Sequence, residues 1–80
     1  SVADYEPLIA LDGGSDGLDF FRSIASGYYP LLKTGATLMF ECGIGQSNAV
    51  RDILLKYGYS DIQTIEDTQG IERVVIGTHT

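Results

Sequence analysis

The run Ala36-Thr37-Leu38-Met39-Phe40 constrains this chain more than any other stretch. It is almost continuously apolar and does not alternate. That pattern predicts a strand over 36–42 covered on both faces, as in a parallel sheet beneath helices. Such a strand needs a neighbour on each side, and the sequence offers few. Only two other stretches read as strands: Asp61 to Glu66, with Ile62 and Ile65, and Glu72 to Gly77, with Val74, Val75 and Ile76. Asp67-Thr68-Gln69-Gly70 between them is turn chemistry, so an antiparallel hairpin over 60–66 and 71–78 is expected. One side of the 36–42 strand can then pair with the hairpin. The other is left as a bare apolar edge, which natural proteins avoid. The pattern therefore predicts that a partner sheet is missing from these 80 residues or is supplied by a second copy.

Two helices complete the set. The first is expected over 16–33. Asp16 stands as N-cap and Asp19 in the first turn, where the helix dipole favours negative charge. Leu18, Phe21, Ile24 and Ala25 follow at helical spacing, then Tyr28, Leu31 and Leu32. Gly27 and Pro30 predict a stop near Gly27 and a short restart through Leu32. The second helix is expected over 46–57, beginning at Gln46 or Ser47. It has Ala49, Val50, Ile53, Leu54 and Tyr57 on one face, Arg51, Asp52 and Lys56 in water, and Gly58 as the C′ residue. Residues 1–15 read as an extended loop with an apolar anchor at Leu8 to Leu11. The order loop, helix, strand, helix, strand, strand is α/β, in a single partial domain.

Composition closes off several functions. Eleven acids against five bases give a net charge of −6, which repels a polyanion and excludes direct nucleic-acid binding. No basic run would hold an anionic membrane surface, and no apolar stretch is long enough to span one. The single cysteine, Cys42, cannot form an internal disulfide, which suits a reducing compartment and predicts a cytoplasmic protein. One thiol and one imidazole, His79, make an ordinary zinc site improbable and no metal is expected. The chain opens on Ser1, so its start was processed or the sequence belongs to a longer one.

Four short motifs are candidates for chemistry. Gly43-x-Gly45-x-x-Asn48 follows a strand and opens a helix, with Glu66 about 20 residues on, as in a dinucleotide fingerprint. Asn48, however, stands where a third glycine would allow close packing, and Glu41 would repel a pyrophosphate. Glu41-Cys42-Gly43 lies at the carboxyl end of a buried strand, where ligands of α/β sheets sit. A carboxylate there can accept hydrogen bonds from an amide, or can bond the backbone of its own loop. Cys42 reads as a small buried residue, since nothing nearby is positive enough to lower a thiol pKa. Tyr5-Glu6-Pro7 leads into an ordered glycine-rich loop, and Glu72-Arg73-Val74 reads as a solvent-facing ion pair or register device.

Taken together, these residues resemble the C-terminal half of the HemK/PrmC methyltransferases. The resemblance rests on Tyr5-Glu6-Pro7-x-x-Ala10-Leu11-x-Gly13-Gly14-x-Asp16-Gly17-Leu18, Phe40-Glu41-Cys42-Gly43-x-x-Gln46, Ala49-Val50-Arg51, Gly58-Tyr59-x-Asp61-Ile62, Asp67 and Glu72-Arg73-Val74. It implies a class I, Rossmann-like fold: a mostly parallel sheet that ends in an antiparallel hairpin, with this chain supplying two helices, one parallel strand and that hairpin. It implies a parent enzyme that uses S-adenosylmethionine to methylate the side-chain amide of a glutamine in peptide-chain release factors.

The family's glycine-rich cofactor loop and its Asn-Pro-Pro-Tyr motif do not occur in these 80 residues. Neither a catalytic residue nor cofactor binding is therefore expected in this chain alone, which should be inactive by itself. By carry-over from the resemblance, Glu6, Pro7, Glu41 and Gln46 would wall the acceptor-glutamine pocket. Two alternatives compete: a stand-alone module that pairs with itself through the bare strand edge, giving a homodimer, and a nucleotide-binding α/β module built on Gly43 and Gly45.

Overall fold

A computed structural model of the chain describes residues 17–80. The loop expected over 1–15, Asp16 as helix cap, and the pocket-wall residues Glu6 and Pro7 lie outside the described residues. The elements, in chain order, are helix α1 (Asp19–Tyr28), a 3₁₀ turn (Tyr29–Leu31), strand β1 (Thr37–Glu41), helix α2 (Ser47–Lys56), and strands β2 (Tyr59–Glu66) and β3 (Glu72–His79).

Helix α1 ends at Tyr28, one residue past Gly27, and the 3₁₀ turn runs on to Leu31, close to the expected stop near Gly27 and restart through Leu32. A β-carbon at Gly27 would touch nothing within 4 Å, so the glycine simply rides on the exposed side. The break comes at Pro30, which opens the 3₁₀ turn because its ring cannot sit deeper in a helix. Leu32 then goes extended, and its N–H bonds back to the carbonyls of Tyr28 and Tyr29. Helix α2 ends on Tyr57, whose N–H bonds the Ile53 carbonyl, and Gly58 follows at φ +104. That left-handed conformation is the ordinary way to close a helix, and glycine adopts it without strain.

The sheet order is β1-β3-β2, and both pairings are antiparallel. The pairing of one side of the 36–42 strand with the hairpin is as expected, and no strand parallel and adjacent to it lies among the described residues. Among the described residues β1 pairs antiparallel with β3, because β3 returns from its turn and inserts between β1 and β2. Strands β1 and β2, joined through α2, still run in the same direction, but one strand apart. The turn between β2 and β3 is organised by Asp67, whose Oδ1 accepts from the N–H groups of Gln69 and Ile71.

Among the described residues only one face of β1 is covered. Leu38 and Phe40 are buried, whereas Thr37 and Met39, which point the other way, are half-exposed. Both helices lie on the Leu38–Phe40 face. There Phe21 of α1 meets Phe40 edge-on, with ring centroids 5.1 Å apart. Val50 and Leu54 of α2 and Val75 of β3 complete the fully buried centre. Gly77 lets α2 approach β3: a β-carbon there would come within 3.0 Å of Tyr59 Cβ and 3.2 Å of Leu54 Cδ1. The opposite face, with Met39, Val74, Ile76 and Ile65, carries no helix among the described residues.

Candidate functional site

The carboxyl end of β1 and the turn into α2 form the mouth that the sequence singled out. The turn is held from inside and from behind. From inside, the Gly43 N–H donates to Gln46 Oε1 at 2.7 Å, so the glutamine folds back over its own loop. From behind, β3 clasps the end of β1. The Cys42 N–H donates to the Arg73 carbonyl at 2.8 Å, and Arg73 Nε donates to the Cys42 carbonyl at 3.1 Å. Arg73 also lies 3.8 Å from Asp67 Oδ2, a distant and largely exposed ion pair that adds little.

Glu72 supplies a second clasp. Its carboxylate accepts from Ser47 Oγ at 2.7 Å and from Thr64 Oγ1 at 3.2 Å. Ser47 is the first residue of α2 and Thr64 lies on β2, so one side chain of β3 ties three elements. These two hydrogen bonds hold the Glu72 carboxyl below the usual glutamate range, with Arg51 adding to them against partial desolvation. Of the expected solvent-facing ion pair or register device, Arg73 stays exposed and bonds the end of β1, while Glu72 turns its carboxylate to Ser47 and Thr64. Sequence could not show this, because Ser47 and Thr64 stand 25 and 8 positions from Glu72.

Of the residues carried over from the family, Glu41 and Gln46 stand at the two ends of this mouth. Glu41 is exposed on the last position of β1. Gln46 is half-buried, and its amide oxygen is already engaged by Gly43. Cys42 between them is buried, and burial pushes its thiol pKa up in spite of Arg73, which keeps it in the neutral form. Ile44 at the tip of the turn is 72% exposed, an apolar side chain offered to whatever covers the mouth.

Two ligand classes can be tested against this geometry. A nucleotide phosphate would need the Gly43 amide, which Gln46 occupies, and would meet Glu72 beside the start of α2. S-adenosylmethionine carries a sulfonium cation. A groove of about 280 Å³ between α1 and α2 is lined by Leu18, Arg22, Ala49, Asp52, Ile53 and Lys56. The Gly43 turn thus does not suit a phosphate, and this groove carries charge of both signs, with Asp52 beside Arg22 and Lys56. Among the described residues, no set of His, Cys, Asp and Glu side chains is placed to hold a metal ion, and no helix is long and apolar enough to cross a membrane.

No protein-family model matches the sequence. Individual relatives do. The release factor glutamine methyltransferase of Geobacter sulfurreducens is 49% identical over 76 residues, which cover 95% of this chain and 27% of that protein. The enzyme of the same name from Clostridium acetobutylicum is 45% identical over 94% of this chain and 26% of its own length. The chain thus spans about a quarter of the length of these curated relatives. The crystal structure of the release factor-specific protein-(glutamine-N5) methyltransferase from Alicyclobacillus acidocaldarius superposes with a TM-score of 0.65 at 28% identity, covering 94% of this chain and 45% of that one. Sequence agreement along nearly the whole chain and agreement in fold lead to one conclusion: the chain belongs to the HemK/PrmC family and corresponds to the C-terminal portion of its members.

Proposed function

We propose that these residues are the sheet-completing, acceptor-side part of a methyltransferase that uses S-adenosylmethionine to methylate the side-chain amide nitrogen of a glutamine in peptide-chain release factors. The observation that carries the reading is the 49% identity over 95% of the chain to a relative of which the match covers 27%. Among the described residues β1 has a partner strand on one side and the Met39–Ile76 face carries no helix, which agrees with further strands and a further helical layer in the whole protein.

On this reading the chemistry is methyl transfer to a weakly nucleophilic amide, where positioning supplies much of the rate. The contribution of this chain is to wall the acceptor glutamine. Glu41 offers acceptor oxygens to the amide N–H groups, and Gln46 keeps the turn closed beside it. Glu6 and Pro7 extend the wall. The cytoplasm, where release factors act, is the proposed compartment.

The test is a chimera. The C-terminal quarter of the Geobacter sulfurreducens enzyme is replaced by the matching 76 residues of this chain, and a release factor is then examined for a methyl group on glutamine by mass spectrometry. Methylation is expected. The 80-residue chain alone is expected to give no heat on calorimetric titration with S-adenosylmethionine, and micromolar binding would contradict the division of labour.

A second reading, self-association of the 80-residue chain, is favoured by β1 alone, which among the described residues has a partner strand on one side. Open edges invite strand pairing between copies. Light scattering decides it: a monomer at high concentration, melting sharply and cooperatively, removes this reading.

A further inference from the structure

Glu72 is the one acidic side chain among the described residues whose carboxylate bonds two other elements at once. It reaches Ser47 Oγ at the start of α2 and Thr64 Oγ1 on β2, and its neighbour Arg73 grips the Cys42 carbonyl at the end of β1. Between these anchor points, Cys42 and Ser47, runs the loop that carries Glu41 at its lip, Ile44 at its tip and Gln46 at its base. A loop pinned at both feet keeps its shape when a ligand arrives, whereas an unpinned loop must be ordered at that moment, which weakens binding. Resting on the acceptor-side reading above, the geometry points to Glu72 as a positioning residue. Its clasp on Ser47 and Thr64 pre-sets the 41–47 loop for the substrate protein and leaves cofactor binding untouched.

The role is one of shape, and the choice of substitutions can show it. Glutamine at 72 keeps one acceptor oxygen, and its amide nitrogen can donate to a hydroxyl, which also accepts. Aspartate keeps the charge but is one methylene too short to reach both hydroxyls. Glu72→Gln should therefore preserve function, and Glu72→Asp and Glu72→Ala should lose it. In the chimera described above, Glu72→Ala is expected to raise KM for the release factor roughly tenfold, as for one or two lost hydrogen bonds to a charged group. The KM for S-adenosylmethionine and kcat stay unchanged. Ser47→Ala, which deletes one arm of the clasp, shifts KM in the same direction by less, and provides the test should Glu72→Ala fail to fold. In the 80-residue chain, Glu72→Ala is expected to speed labelling of the Cys42 thiol under native conditions. Glu72→Gln keeps the slow rate.

An active chimera whose KM for the release factor is the same with Glu72 or Ala overturns this role and leaves the proposed function standing. A glutamine variant as impaired as the alanine one overturns it too, since charge would then be the requirement. A folded but inactive parent chimera overturns the proposed function and this role with it.

Discussion

At the scale of single residues, Tyr59 shows how a polar group is kept in this small core. It is 2% exposed, and its hydroxyl donates to the Ala25 carbonyl of α1 at 2.8 Å. Burial first, and the neighbouring Tyr29 second, push its pKa up to about 12 from an ordinary 10.0. A value raised in the folded state means that the stability is complete below pH 10 and is lost as pH climbs from there through 12. Tyr59→Phe keeps the ring against Tyr29 and deletes the bond to Ala25, which should cost about 1 kcal/mol at neutral pH. The variant should also lose stability less steeply between pH 10 and 12 in chemical denaturation. A slope as steep as that of the parent would contradict this. Leu54→Ala is expected to cost more, about 2–5 kcal/mol, because Leu54 is fully enclosed by β3 and Tyr59 and little around it can collapse. A chain of this size has roughly 4–12 kcal/mol in total, so the denaturation midpoint should fall sharply.

At the scale of elements, two glycines at the helices separate by sign. Gly58 sits at φ +104, and a β-carbon there would meet the ring of Tyr29 at 3.0 Å, a ring itself packed against Tyr59 and His79. Gly58→Ala should lower stability by about 1–3 kcal/mol or more. Gly27→Ala, inside α1 and facing open space, should raise it by about 0.5–1 kcal/mol. Melting temperatures of the two variants should move in opposite directions, and a joint fall would refute the account of α1. The same two positions mark what the sequence can and cannot show about an element. Gly58 was legible, since glycine after an amphipathic run has one ordinary use. Gly27 was legible in part: the helix ends one residue beyond it, but propensity alone could not show that the glycine itself is carried, exposed, inside the last turn. The candidate site was legible to a similar depth. The motif at Glu41 to Gln46 places the mouth, but Glu72's hold on Ser47 and Thr64 arises only from strand pairing, and no spacing announces it.

At the scale of the whole molecule, the apolar run over β1 was read for its imbalance, and the structure locates that imbalance. Helices cover the Leu38–Phe40 face, whereas Met39 on the other face is half-exposed, and among the described residues β3 is the strand paired with β1. The hairpin was legible from its turn. Its pairing with one side of β1 was legible too, but which of its two strands lies next to β1 was not, because the order of strands in a sheet depends on contacts distant in sequence. Among the described residues, a strand with a partner on one side, a sheet face without a helix and a pinned loop at the end of β1 are what a sheet-completing part of a larger α/β enzyme presents to the rest of it. The most direct measurement is methylation of a release factor glutamine by the Geobacter sulfurreducens enzyme carrying the matching 76 residues of this chain. One methyl group on the glutamine side-chain amide is predicted, and a folded chimera that binds S-adenosylmethionine yet transfers no methyl group would contradict the account.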